Sequence, residues 1–592
     1  MDVQGRKQIP VEILAAVLGA VVFLCIYGVR VLNPFYVDYL LTGGDLSQHY
    51  LGWELFREGD WRPMAGLTDA AAYPYSTSVI FTDSIPIFSL LFKIIFGFYK
   101  KPFQFFGIWG IMCFSLQGFF AAKLIKSRID SKSKLMLPST LFLTLLFLLC
   151  PFFIRRMFWH SALAGQFVIL IAIYLFDNTV IYSRKYLSVY WIILGILTAS
   201  IHIYFIAMCG VILFGALLYR LIYDIKEQKS ALSDIILDIF CPLFGYCFWA
   251  VFTIYFLGGF NSNMEGGAPG IGYYSFNLNG LFNADDGYSR FLSALPFYED
   301  GQYEGDAYLG LGALLLIVAV IGALIFKSVI RKDDDLTNKS NKHSYIKPLC
   351  VAVTCVILVI LAASNEVTFN DKLLFKFPLP EFIEKLYSPL RSSGRLIWPV
   401  GYFLILESIS TLGNIYKAKT EDSSEKSGPV ILCLIALSVF ALQLVDISPK
   451  LSEIGRKYNA EQVYINPVTD QTYTFIDEDG IEKTTFDDIL TNACAKMANN
   501  LHPAHLVFLD KDKLSQEELY GFTYVAINNN MTVNDFYFAR FFNNRAGQIA
   551  VDYALSGRDD CVYIYKPEDE DMFNMLPFYT YHTENFVVAI PE

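Results

Sequence analysis

The amino-acid sequence predicts a mainly α protein, a polytopic transmembrane helical bundle followed by a small C-terminal α/β domain. Three observations carry this reading. Of 592 residues, 54% are hydrophobic and only 17% charged, and the mean hydropathy is +0.40, too apolar for a soluble globular chain. The apolar residues gather in stretches of about 20, the length a helix needs to cross a hydrocarbon core of about 30 Å with every backbone group paired. After Val445 the composition turns polar and acidic. A formal charge of −11 opposes nucleic-acid binding, which needs a basic face. The 39 Gly and 23 Pro, without a tandem period, exclude collagen-like and solenoid classes.

The apolar stretches fall at 11–32, 103–124, 135–154, 162–182, 187–201, 203–223, 235–257, 308–326, 347–364, 396–413 and 430–446, about eleven spans. Arg6 and Lys7 precede the first without a small-residue cleavage site, so it reads as a retained signal anchor with a cytoplasmic N-terminus. Basic residues mark further cytoplasmic loops: Lys123 to Lys134, Arg184 with Lys185, Lys226 with Lys229, and Lys327 to Lys347. These assignments agree only if Ser84 to Tyr99 stays on the outer side. That segment is interrupted by Lys93 and bracketed by Pro86 and Pro102, which suits an interfacial or re-entrant helix. The rival topology makes it a span and fuses 187–223 into one helix of about 54 Å, well beyond the membrane thickness.

Residues 1–447 then form the membrane domain, with a large first outer loop (33–102) and further outer segments at 155–161, 258–307 and 365–395. Residues 448–592 form an extracytoplasmic α/β domain, with a helix over Phe486 to Asn499 and strands over His505 to Leu509 and Cys561 to Tyr565. Nine of the 11 Cys lie in apolar stretches. Cys494 and Cys561 are the remaining candidate disulfide pair.

Polar and ionisable residues collect on the outer side. The first loop carries Gly44-Asp45-Leu46-Ser47-Gln48-His49-Tyr50-Leu51-Gly52-Trp53 and later Thr82-Asp83-Ser84. If the chain turns helical after Gly44, Asp45 caps the turn and His49 lies one turn on, on the same face. The second outer loop, Arg155 to Ser161, holds two Arg against the expected charge bias, and the planar guanidinium fork suits phosphate. The rival topology would make it a cytoplasmic loop. His202 sits at a break between spans, and Gln302-Tyr303-Glu304-Gly305 lies at the lip of the next one. Arg391-Ser392-Ser393-Gly394-Arg395 places two more Arg at an outer helix mouth, and Glu407 lies deeper as an intramembrane carboxylate, functional or paired with another helix. No phosphate-binding loop, zinc motif or serine-hydrolase elbow is present.

These segments resemble the GT-C superfamily of integral-membrane glycosyltransferases, and most closely an uncharacterised bacterial branch of it, over roughly residues 1–410. The resemblance implies a GT-C-like bundle in a bacterial cytoplasmic membrane and inverting transfer of a sugar from a polyprenyl-phosphate-linked donor to an envelope glycan or glycolipid acceptor. It implies Asp45 as base, with His49 or Asp83 orienting it or binding acceptor, and Arg155, Arg156, Arg391 and Arg395 as cations for the phosphate. Gln48, Trp53, His160, His202, Tyr303 and Glu304 complete the candidate substrate contacts. Some superfamily members bind a divalent metal at paired acids in the second outer loop. This chain lacks them there, so a metal stays open. The alternative function is a transporter or flippase for a lipid-linked saccharide, and a third is a receptor or scaffold acting through the C-terminal domain.

Overall fold

The computed structural model describes residues 9–129, 133–227, 231–260, 264–265, 271–330, 345–422, 427–477, 480–496, 504–538, 541–542, 545–556, 558–572, 576 and 578–591. The chain begins with α1 (Val11–Tyr27), α2 (Gly44–Glu58), the short strands β1 (Leu67–Thr68) and β2 (Thr77–Ser78), and α3 (Pro86–Phe96). There follow α4 (Phe106–Arg128), α5 (Met136–Leu148), the single turn α6 (Pro151–Ile154), α7 (Phe167–Asp177), α8 (Arg184–Ile201), α9 (Ile203–Glu227) and α10 (Leu232–Phe256). Next come β3 (Met264–Glu265), α11 (Leu311–Ile330), α12 (Ile346–Ala363), the hairpin β4 (Glu366–Phe369) and β5 (Lys372–Lys376), α13 (Glu381–Tyr387), α14 (Trp398–Asp422) and α15 (Ser427–Asn459).

Among the described residues six helices are long and apolar enough to cross a membrane: α4, α9, α10, α12, α14 with the turn before it, and α15. α1, α3, α5, α7 and α11 supply shorter apolar segments. The protein is a multi-pass membrane protein. The stretches expected as spans all fall on helices. α3, at 11 residues, extends only about 16 Å and packs against α2 and α8. α8 and α9 are separate, because His202 between them is extended (φ −164°, ψ 141°), so the fused 187–223 helix does not form.

Ion pairs fix which helix ends meet. Lys126 at the end of α4 reaches Glu12 at the start of α1 (3.0 Å), and Arg128 reaches Asp177 at the end of α7 (2.6 Å). Lys347 at the start of α12 also reaches Asp177 (2.8 Å), while Arg220 of α9 reaches Asp238 near the start of α10 (2.7 Å). Glu407 belongs to this end as well, 3.6 Å from Arg128 of another helix. The long loops, α2 and α3 therefore gather at the opposite end of the bundle.

α15 runs unbroken through position 447 to Asn459. Its Asp446, fully buried, accepts hydrogen bonds from Tyr308 Oη (2.7 Å) and Leu311 N (3.1 Å), and Gln443 accepts from Gly312 N (3.0 Å), which pins the loop before α11 to this helix. Beyond it lies the α/β domain: β6 (Tyr473–Asp477), β7 (Gly480–Thr484), α16 (Phe486–Lys496), β8 (His505–Phe508), α17 (Gln516–Asn528), β9 (Thr532–Val533), β10 (Phe541–Phe542), α18 (Arg545–Leu555), β11 (Cys561–Tyr565), β12 (Phe578–His582) and β13 (Val587–Pro591). Seven strands form one sheet in the order β7-β6-β12-β13-β11-β8-β9, with β8, β9 and β11 mutually parallel. Residues 497–499 of the expected helix and the Cys494 side chain lie outside the described residues. Cys561 is a buried free thiol, so the expected disulfide is not formed.

The domain docks on the bundle. α17 packs against α2, Val533 and the first loop exchange backbone bonds (Val533 N to Ala70 O, 2.8 Å; Tyr73 N to Val533 O, 3.0 Å), and Tyr73 stacks on His505 at 3.8 Å. Within the bundle α1 and α4 touch backbone to backbone. A Cβ at Gly19 would lie 2.1 Å from the Phe114 carbonyl oxygen. Gly19→Val therefore forces the two helices apart and is expected to cost about 1–3 kcal/mol of stability. Gly322→Ala in α11, where nothing lies within 4 Å, is expected to be neutral. Thermal unfolding in detergent checks both, and equal midpoints would refute the contact.

Candidate active site

The site forms at the end of the bundle opposite the ion-paired helix ends. α2 presents Asp45, Gln48 and His49 at spacings that share one helix face. Asp45 does not cap the helix. No side chain caps it, and Gly43 N instead donates to Ser47 Oγ (2.8 Å). Asp45 Oδ2 faces His160 Nε2 at 2.9 Å, and the other ring nitrogen of His160 lies 3.4 Å from Arg156 Nη1. A carboxylate can only accept, so the tautomer that serves this contact has its proton on Nε2, hydrogen-bonded to Asp45, with Arg395 Nη2 3.3 Å from the same nitrogen. Asp83, in a left-handed turn (φ 53°), lies 3.4 Å from His202 Nε2. His202 Nδ1 accepts the Tyr204 backbone N–H (3.3 Å), so its proton also points at the carboxylate. Ser84 Oγ donates to the His49 carbonyl (2.7 Å), tying this turn to α2.

The cationic half comes from elements far away in sequence. Glu304, buried, accepts from Arg395 Nε (3.0 Å) and Arg156 Nη1 (2.8 Å), while Arg156 Nη2 donates to the Glu304 carbonyl (3.1 Å). The two segments approach backbone to backbone beside this pair: a Cβ at Gly394 would lie 2.6 Å from Gly305 Cα.

Electrostatics follow from burial and partners. Burial alone would raise the Asp45 carboxyl, but its hydrogen bond to His160 and the nearby imidazoles hold it below the ordinary carboxylate range. Asp83 is part-buried, and His202 with the other two imidazoles holds it far lower. Glu304 overcomes burial through Arg395 and Arg156 and likewise stays ionised. Burial pushes His49 down to about 4 despite Asp83 and Asp45, so it is neutral at physiological pH.

Two cavities meet at Asp45. The first, about 260 Å³, is polar where Asp45, Asp83, Glu304, Arg391 and Arg395 line it and apolar where Phe81, Pro86, Ile201, Ile203 and Ile254 do. The second, about 420 Å³, is lined by Arg155, Trp159, Tyr288, Lys450, Lys457 and Tyr458. The Asp45 side chain is a third exposed and lines both. No carboxylate among the described residues pairs with Arg391, whose guanidinium lies 5.7 Å over the Tyr274 ring.

The structure thus brings Asp45, Gln48, Asp83, His160, His202, Tyr303, Glu304, Arg391 and Arg395 to one cavity. It sets the other sequence candidates apart. His49 lies fully buried beneath the cavity with both ring nitrogens unpartnered, so His160 rather than His49 orients Asp45. Trp53 is buried elsewhere, its indole donating to Phe103 O (2.9 Å). Arg156 is fully buried on Glu304, and Arg155 is held by Asp306 (2.7 Å) and Asp285 (3.3 Å), so neither is free for a phosphate. The sequence reading missed Tyr204, Tyr274, Tyr537 and Phe538, which also line the first cavity. The run Phe536-Tyr537-Phe538 in a polar domain is the signal that could have found the last two. Among the described residues no three His, Cys, Asp or Glu side chains converge to hold a metal.

Two outcomes follow from these pairs. Glu304→Ala leaves two buried guanidiniums without their carboxylate and is expected to cost about 3–5 kcal/mol, read as a large drop in the thermal midpoint in detergent. A wild-type midpoint would contradict the pairing. His49 binds its proton only near pH 4 when folded, against 6.5 for the free imidazole. Between these values the unfolded chain holds more protons, so stability falls as pH drops through that window, by up to about 3 kcal/mol. Melting curves of His49→Gln across the same range are expected to be flatter than those of the parent.

A family model described as a domain of unknown function, DUF6311, matches residues 16–448, and one described as the DUF6311 C-terminal domain matches 502–591. No curated protein matches the chain. Among solved structures, the Archaeoglobus fulgidus oligosaccharyltransferase tethered by a disulfide bond to an acceptor peptide with an NVT sequon is similar over 98% of this chain and 74% of that one, at 10% identity and a TM-score of 0.43. Its apo form is similar over 98% and 75%, at 11% identity and a TM-score of 0.35. The first family model alone covers well over half of the sequence, and the chain belongs to the DUF6311 family.

Proposed function

We propose that this protein is a glycosyltransferase that moves a sugar from a polyprenyl-phosphate carrier to a glycan or glycolipid acceptor, on the extracytoplasmic side of a bacterial cytoplasmic membrane. The observation that carries the reading is the position of Asp45, an ionised and partly exposed carboxylate that lines two cavities, one of which holds a guanidinium with no carboxylate partner among the described residues. The superfamily resemblance of the segments around Asp45, Asp83, Glu304 and Arg395 supports the same chemistry.

In this mechanism the first cavity takes the donor. Its apolar wall suits the first isoprene units, and Arg391 faces the phosphate, where a guanidinium can form two charge-assisted hydrogen bonds. The second cavity takes the acceptor, with Trp159, Tyr288 and Tyr458 offering ring faces to a sugar. Asp45 accepts the acceptor hydroxyl proton as that oxygen attacks the anomeric carbon. The bond from this carbon to the phosphate oxygen breaks, the electron pair leaves with the phosphate, and Arg391 stabilises the charge that develops there. Attack from the side opposite the leaving group inverts the anomeric centre. His160, proton toward Asp45, keeps the carboxylate aimed at the cavity wall.

Reconstituted protein supplied with a panel of polyprenyl-phosphate-linked sugars and membrane glycan acceptors is expected to transfer sugar. Asp45→Asn is expected to lower the rate by about 100- to 10,000-fold while the protein still folds, and Arg391→Ala to raise the donor KM. Full turnover by Asp45→Asn would remove the proposed base. Translocation of the lipid-linked sugar without transfer would favour the flippase.

A further inference from the structure

We propose that the hairpin β4–β5 and helix α13 form a foot that rests in the headgroup and upper acyl layer of the bilayer, beside the mouth of the first cavity. The sequence of β5, Lys372-Leu373-Leu374-Phe375-Lys376, is exposed at all five positions. Successive strand residues point to opposite faces, so Leu373 with Phe375 and Leu374 between them present apolar side chains on both sides of a two-stranded sheet. Phe369, Phe377 and Phe382 of the adjoining segments are exposed as well, Phe382 at 71%. β4 is tied to the preceding loop by a bridge between Asn277 and Thr368, which leaves the apolar side chains of β5 outward, and a contiguous apolar surface of this kind is unfavourable in water.

The position of the hairpin identifies what covers it. It begins three residues after Ala363, the end of α12, a helix long and apolar enough to cross the membrane. Leu349, Val356 and Ile360 form an exposed stripe along α12, spaced at whole turns, which in a membrane faces lipid. Ile360 lies one turn below the hairpin, so the lipid-facing surface of the bundle continues into it. Lys372, Lys376 and Lys385 edge the foot, with stems long enough to keep their ammonium groups at the water boundary. Lys376 pairs with Glu366 and Lys385 with Glu381, so the foot is close to neutral, and its partner is the bilayer itself rather than an anionic surface. Ser388, Pro389 and Arg391, directly after α13, line the first cavity. A foot at the interface therefore sets Arg391 at the depth of lipid phosphates.

This inference rests on membrane residence and not on the reaction proposed above, so the two fail separately. The full chain is reconstituted in phosphatidylcholine nanodiscs with acyl chains brominated near the headgroup. The emission of one added tryptophan is read as the difference between variant and parent. Phe375→Trp and Phe382→Trp, at exposed positions that tolerate the ring, are expected to emit at shorter wavelength and lose intensity to bromine, as Ile360→Trp on α12 does. Leu555→Trp, exposed on α18, serves as the water-facing comparator. Emission from the foot like that of Leu555→Trp would overturn the proposal. A shift to shorter wavelength without quenching would overturn it too, since that outcome means cover by a second copy or a protein partner.

Discussion

Glu304 lies almost without solvent between two guanidinium groups, Arg156 at 2.8 Å and Arg395 at 2.9 Å, and the rest of the site takes its shape from that contact. Taking three charges out of water costs several kcal/mol per ion, and the mutual attraction repays this only when geometry and hydrogen bonding are close to complete. Here Arg156 reaches both the carboxylate and the backbone carbonyl of the same residue, and its guanidinium also lies 5.0 Å over the Trp398 ring, while its Nε finds no acceptor among the described residues. Because Arg156 follows α6, Glu304 precedes α11 and Arg395 lies in the turn before α14, the cluster ties three separate parts of the bundle together at one level. His160 extends the network to Asp45, which brings α2 to the same level.

The C-terminal domain belongs to this arrangement rather than hanging from it. α17 lies on the helix that carries Asp45, the edge strand β9 takes its backbone partners from the first loop, and Tyr537 and Phe538 close over the first cavity. α15, continuous from bundle to domain, fixes the distance between them, and its Lys450 and Lys457 line the second cavity. Two cavities that share one carboxylate are thus built from both halves of the chain.

Much of this was legible from sequence and some was not, for physical reasons. The helices, the polar end of the bundle and the segments around Asp45, Glu304 and Arg395 were visible because apolar run length and ionisable residues at helix mouths are local signals. Arg155 and Arg156 misled because sequence shows that a cation is present and not whether a carboxylate about 150 positions later has already claimed it; Asp306 and Glu304 have. Trp53 and His49 misled because a helix of mixed composition hides its faces: the Trp53 ring turns into the core, while His49 lies under the cavity floor. The aromatics of residues 536–538 were missed because nothing local says that a polar tail folds back onto the first loop.

The distribution of cations then separates structure from function. At the far end of the bundle, Lys126, Arg128, Arg220 and Lys347 each meet a carboxylate within 3.0 Å. At the site end, Arg155, Arg156 and Arg395 do so within 2.9 Å. These groups are accounted for by the fold, since a charge withdrawn from water persists only beside a partner. Arg391 departs from that pattern. It is half-buried in a cavity, stacked over one ring, and meets no carboxylate among the described residues. Its guanidinium is therefore the cation at the cavity wall that the proposed phosphate contact would use. Arg391 and Asp45 thus line one cavity, as the proposed reaction requires.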